Sequence, residues 1–152
     1  MSPQRTRASR QRGNAVVETA LMAPWIFLLF LGVFDFGFYA YAAIATANAA
    51  RVAATYTSGS VGTASDSATA CTYVLEALRD MPNVGSGVTT CSAAGPVQVT
   101  ATPSTATDPV YNTITYTVST VSVTYQTVPL FPIPGLMGQM TITRTAQMRV
   151  QL

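Results

Sequence analysis

The sequence predicts an α+β protein in which a long N-terminal membrane-spanning helix packs, along its outer half, against a small antiparallel sheet and a second short helix. Three observations predict it. Charge is absent for sixteen residues between Glu18 and Asp35, and for fifteen more before Arg51. Cys71, Val74, Leu75 and Leu78 recur at the spacing of one buried helix face. From Val88 onward the pattern changes to the two-residue alternation of strands with one wet face. The chain divides accordingly into a basic cytoplasmic leader (1–13), a transmembrane and stalk helix (14–57) and an extracytoplasmic α+β domain (58–152).

Composition narrows the function. Only 9% of the 152 residues are charged, against about a quarter in soluble domains. The net charge of +2 comes from the leader, where Arg5, Arg7, Arg10 and Arg12 stand without an acid. Residues 14–152 hold four arginines against six acids, so the body is slightly acidic and nucleic-acid binding has no support. The chain has no histidine, which removes His-based triads, imidazole acid–base chemistry and His metal ligands. Asp66, Glu76, Asp80 and Asp108 are scattered, and Asp108-Pro109 reads as a turn. The expectation is a protein that is not an enzyme and takes no cofactor or metal.

The leader lacks apolar periodicity and is expected to be disordered. Its arginines should hold this end in the cytoplasm and send the C-terminus outward. Ala15 to Phe34 would span ~30 Å as a helix, enough for the hydrocarbon core. An alanine-rich continuation favours helix up to Gly59. A helix over 14–57 would be ~65 Å long, with half of it beyond the lipid. Its apolar stripe is read as Phe34, Phe38, Tyr41, Ala45, Ala49, Val52 and Tyr56, with Thr46, Arg51 and Thr55 off it. Pro24 lies inside and should bend the helix. A cleavable secretory signal is the rival, with Ala40-Tyr41-Ala42 as a weak site, but the apolar region is too long for one.

Glu18 needs a reason, because a carboxylate inside a membrane segment costs ~2.5–3.5 kcal/mol even on a lenient scale. A position at headgroup level near a helix N-terminus is one, since the macrodipole favours an anion there. Its context offers another. Arg12-Gly13 precedes it, and Glu18 is the fifth residue after Gly13. The arrangement resembles the processing site of type IV prepilins. That resemblance implies cleavage by a prepilin peptidase after Gly13, Asn14 as the new N-terminus, and Glu18 paired with the new amine in an assembled filament. An ammonium partner would offset burial of the acid.

The longer run Gly13-Asn-Ala-Val-Val-Glu18-Thr-Ala-Leu-Met-Ala-Pro24, then Phe34-Asp35-Phe36-Gly37 and Ala49-Ala50-Arg51-Val52-Ala53-Ala54, is similar to the TadE-like family. Those are pseudopilins of the tight-adherence (Flp) pilus. The resemblance covers residues 12–56 and recurs loosely near the end of the chain. Thr19 stands where this family commonly has an aromatic residue. The family implies a type IV pilin-like fold, the bacterial inner membrane as location, and the membrane, other pilins or pseudopilins and the pilus assembly machinery as partners. Asp35 has two readings, an acid at the outer membrane surface among aromatic residues, or a lateral contact with another helix.

Cys71 and Cys91 lie twenty positions apart, too few ligands for structural zinc. In an exported domain a disulfide is the natural reading, and buried free thiols are the alternative. Ser65 or Asp66 can cap the second helix, and Met81-Pro82-Asn83 with Gly85-Ser86-Gly87 should stop it. Val97, Val99 and Ala101 alternate with Gln98 and Thr100, and Ile114, Tyr116 and Val118 alternate with threonines. The phase then flips to Val121, Val123 and Tyr125, which a bulge or break near 119–120 would explain. On the last strand Met140, Ile142, Ala146, Met148 and Val150 share a face that Arg144 interrupts. The Thr-rich opposite face is either solvated surface or an adhesive one. Pro129 to Gly138 form a loop whose Leu130, Phe131, Ile133 and Leu136 either pack on the sheet edge or make a docking patch.

The function expected is that of a minor pseudopilin taking part in pilus assembly through helix packing and head-domain contacts. A membrane-anchored extracytoplasmic binding module, neither processed nor polymerised, is the alternative.

Overall fold

The computed structural model describes residues 7–129 and 138–151. The apolar residues expected in the loop at 130–137 therefore lie outside the described residues, as do 1–6. Two compact units divide the chain, Met1–Phe38 and Tyr39–Leu152. One helix, α1 (Arg7–Thr57), makes up the first and opens the second. It begins inside the segment expected to be a disordered leader, and residues 7–13 are helical. Arginine is nearly as good a helix former as alanine, no proline falls between Pro3 and Pro24, and an existing helix extends at one hydrogen bond per residue.

In the first unit most of the large apolar side chains face outward, Leu31 excepted. Leu21, Trp25, Ile26, Leu29 and Phe36 are all at least 65% exposed. The Thr19 hydroxyl donates to Ala15 O at 2.9 Å, hiding its polarity against the helix. Leaving such side chains in water costs ~1.5–3 kcal/mol each relative to burial. The stretch Ala15–Thr57 is long and apolar enough to cross a membrane, with mean hydropathy 2.0 in its most apolar window.

The second unit is α+β. After α1 come α2 (Ser67–Ala77), a 3-10 turn at Gly85–Gly87, and strands β1 (Val97–Thr107), β2 (Thr115–Gln126) and β3 (Thr141–Arg149). The sheet is antiparallel in the order β1-β2-β3. Asp66 caps α2 by accepting from Thr69 N–H at 3.0 Å. The helix stops as Leu78 N–H closes back on Val74 O. Gly85 then takes φ +43°, a conformation that L side chains rarely adopt.

One core joins the three layers. It holds Ala49, Ala50, Ala53 and Ala54 of α1, Cys71, Val74 and Leu75 of α2 with Leu78, and Val97, Val121, Val123, Tyr125 and Ile142 of the sheet. The face that α1 buries differs from the stripe expected. Tyr41 and Val52 are exposed, while Ala42, Thr46, Ala53 and Thr57 are fully buried. Small side chains let the backbone approach the core, and Tyr41, Ile44 and Val52 are turned out. Thr46 is tolerated inside because its hydroxyl donates to Ala42 O at 2.8 Å.

The bulge expected near 119–120 is also absent. Pairing runs without interruption from Thr115 to Tyr125 on the β1 side and from Val118 to Gln126 on the β3 side. Ser119 instead keeps phase with Val121, Val123 and Tyr125 and is fully buried. Tyr116 and Val118 sit on the opposite face, where the Arg149 guanidinium lies 4.8 Å from the Tyr116 ring centre. β3 behaves as its alternation predicts, with Ile142 and Val150 buried and the threonines exposed, except that Met140, expected on the buried face, lies just before the strand and is exposed.

Candidate processing and membrane segment

Gly13, Asn14 and Glu18 all fall within α1. Five residues at ~100° each turn the helix through about 1.4 turns from Gly13 to Glu18. The Glu18 side chain is exposed, and no residue in 15–129 or 138–151 forms an ion pair with it. Its neighbours Val16, Val17, Leu21 and Met22 are exposed apolar groups, so the carboxylate sits on a surface that is otherwise suited to lipid. Asp35 is half-buried between the exposed Phe34 and Phe36.

In the second unit the Cys71 and Cys91 sulfurs are bonded at 2.04 Å, with Cα atoms 5.9 Å apart. Of the two states left open by the sequence, the structure takes the disulfide. It ties the buried face of α2 to the segment leading into β1. Tyr56 near the end of α1 packs at a tilt against Tyr73 of α2, ring centres 4.9 Å apart and planes at 36°, and its hydroxyl donates to Asp66 Oδ2 at 3.2 Å. Hydrogen bonds from Thr69, with help from Tyr56, hold the Asp66 carboxyl below its ordinary range. Asp108 is likewise lowered, by the backbone N–H groups of Val110 and Tyr111 and then by Arg149. That explains the two acids as a helix cap and a turn former.

Glu76, Arg79 and Asp80 line a 490 Å³ surface cleft beside α2, but Arg79 pairs with Glu76 at 2.7 Å and lies 3.8 Å from Asp80. Arg79 offsets one of the two acids, and such exposed pairs contribute little. Among the described residues no three metal-ligating side chains come together. Sequence reasoning missed the contacts that lock the second unit, namely Tyr56 with Tyr73 and Ser119 with Thr57. The available signal was Ser119 itself, a polar residue in phase with three apolar ones.

An apolar, outward-facing helix and a disulfide-bonded α+β head define a single-pass membrane protein. Residues 13–55 match the family described as TadE-like protein, which bears out the resemblance over the segment containing Gly13, Glu18, Asp35 and Arg51. That family is one of tight-adherence pilus-associated proteins, and the match covers under a third of the chain. No curated protein and no solved structure matches the chain.

Proposed function

We propose that this protein is a minor pseudopilin that takes part in assembly of tight-adherence pili. The family match over α1 carries the reading, together with an exposed acid in an apolar helix five residues after a glycine. The leader arginines hold the N-terminus in the cytoplasm, and the head lies on the far side of the inner membrane, where an oxidising compartment suits the disulfide. A prepilin peptidase cuts between Gly13 and Asn14. Cleavage requires the helix to open there, and glycine lowers that cost because it is ~1 kcal/mol poorer than alanine in a helix interior.

The new ammonium at Asn14 then pairs with Glu18, in the same chain or a neighbour, and offsets the cost of carrying a carboxylate into an apolar environment. The outward apolar side chains of α1 exchange lipid for the helices of other pilins, and the head contacts the assembly machinery. N-terminal sequencing of protein recovered from membranes tests the processing step. A start at Asn14 is expected. An intact Met1 end in a correctly localised protein would return the chain to an unprocessed anchor with a binding head.

A further inference from the structure

The two edges of the sheet are treated differently. Backbone bonds from Val150 to Thr117 and from Thr127 to Met140 turn the N–H and C=O groups of the even-numbered β3 residues toward β2. Those of Thr141, Thr143, Thr145, Gln147 and Arg149 therefore point outward. On β1 the outward groups belong to the odd-numbered residues, and several of those are closed. Ser92 N–H donates to Val97 O at 3.2 Å, Ala101 N–H donates to Ser67 Oγ at 2.9 Å, and Pro103 has no N–H. Proline and covering contacts are how sheets protect an edge. On β3 the one outward group engaged among the described residues is Thr143 O, which accepts from Arg144 Nη1 at 3.2 Å.

From this asymmetry we infer that the outer edge of β3 is a strand-addition site for an extended acidic segment of a different polypeptide. Strand addition takes its affinity from main-chain bonds and its specificity from alternate side chains. An incoming strand continues the dry face beside Ile142, Ala146 and Met148, so its alternate residues are apolar. On that face it also meets Arg144, which is exposed and stands opposite Val123. A carboxylate there draws the guanidinium off Thr143 O and frees that carbonyl for the new ladder. A strand without an acid leaves the carbonyl blocked, and one with a cation adds repulsion. A second copy does not fit, because no residue of β1, β2 or β3 is acidic and β3 carries two arginines. The inference stands on the head alone and does not depend on processing at Gly13.

The test uses the full chain in detergent micelles with a capped synthetic peptide, Thr-Val-Thr-Glu-Thr-Val-Thr-Val-Thr, and its twin with Lys in place of Glu. The Glu peptide should slow amide exchange at Thr145 and Gln147, and the Lys peptide should bind roughly ten-fold more weakly. Thr145→Pro removes an outward N–H, as Pro103 does on β1, along with an exposed hydroxyl contact to Ser122, and should abolish the response. Should that variant not fold, Arg144→Glu should reverse the preference between the peptides. Equal binding of both peptides, no protection on β3, or protection by the chain alone as its concentration rises would overturn the assignment.

Discussion

Ser119 Oγ lies 2.8 Å from Thr57 Oγ1, and neither residue has measurable exposure. The same hydroxyl reaches Ala64 O at 3.2 Å, and Thr57 donates to Ala54 O at 3.2 Å. Three segments, the end of α1, the loop after it and the middle of β2, are thus joined by one buried polar cluster. Ser119→Ala should cost ~1 kcal/mol, because Thr57 keeps its own acceptor. A double-mutant cycle with Thr57→Val, read from chemical unfolding of the head, should return a coupling of at least ~0.5 kcal/mol. Strict additivity would remove the cluster as a structural link.

Reducing the disulfide releases α2 from the segment before β1. With 20 positions between the cysteines, the chain-entropy estimate is a loss of ~3 kcal/mol. The Cys71→Ala, Cys91→Ala double variant should show it as a lower denaturant midpoint with a steeper slope, because the unfolded chain without its cross-link exposes more surface.

Tyr125 is fully buried, and its hydroxyl has no hydrogen-bond partner among the described residues. Burial pushes its pKa up to about 12 from 10.0. The folded state therefore holds this proton more tightly than the unfolded state does. The resulting stability is complete below pH 10 and is lost as pH rises through about 12. Tyr125→Phe should leave stability unchanged or raise it by up to ~1 kcal/mol, since it removes an unpaired buried polar atom. It should also abolish the phenolate absorbance change near pH 12.

Asp66 works in the opposite direction. Its carboxyl is lowered from 3.8 by the α2 cap bonds, so its contribution is complete above that value and is lost as pH falls through the lowered one. Asp66→Asn, which retains an acceptor for Thr69, should flatten the acid limb of a thermal-midpoint profile, whereas Asp66→Ala should lower the midpoint at neutral pH as well. An unchanged acid limb in the Asn variant would remove the cap as its source.

The face that α1 turns inward can be checked by size. Ala53 is fully buried and Ile44 is 71% exposed. Ala53→Leu should destabilise the head by about 1–3 kcal/mol through overpacking, while Ile44→Ala should change it by no more than about 0.5 kcal/mol. The stripe read from sequence leaves both residues aside and includes Tyr41 and Val52, which are exposed, so Tyr41→Ala and Val52→Ala serve as controls and should also be mild.

The sequence by itself determined the features that depend on local pattern. An uncharged run long enough for a membrane, the buried positions Cys71, Val74, Leu75 and Leu78, the Asp66 cap and the alternation of β3 each follow from composition and period over a few turns or residues, and all appear in the structure. The TadE-like pattern over 13–55 was legible for the same reason. Tertiary structure decided the rest. An alanine-rich helix has weak contrast between its faces, so which one is buried depends on how closely the sheet and α2 can approach, and that selected Ala42, Thr46 and Ala53 over Tyr41 and Val52. Ser119 looked like a break in a strand because its partners, Thr57 and Ala64, are 62 and 55 residues away in sequence. The pairing of Cys71 with Cys91 needed the two backbones to meet, and the difference between a closed β1 edge and an open β3 edge needed the direction of every outward N–H. Those are relations between distant segments, and no window along the chain contains them.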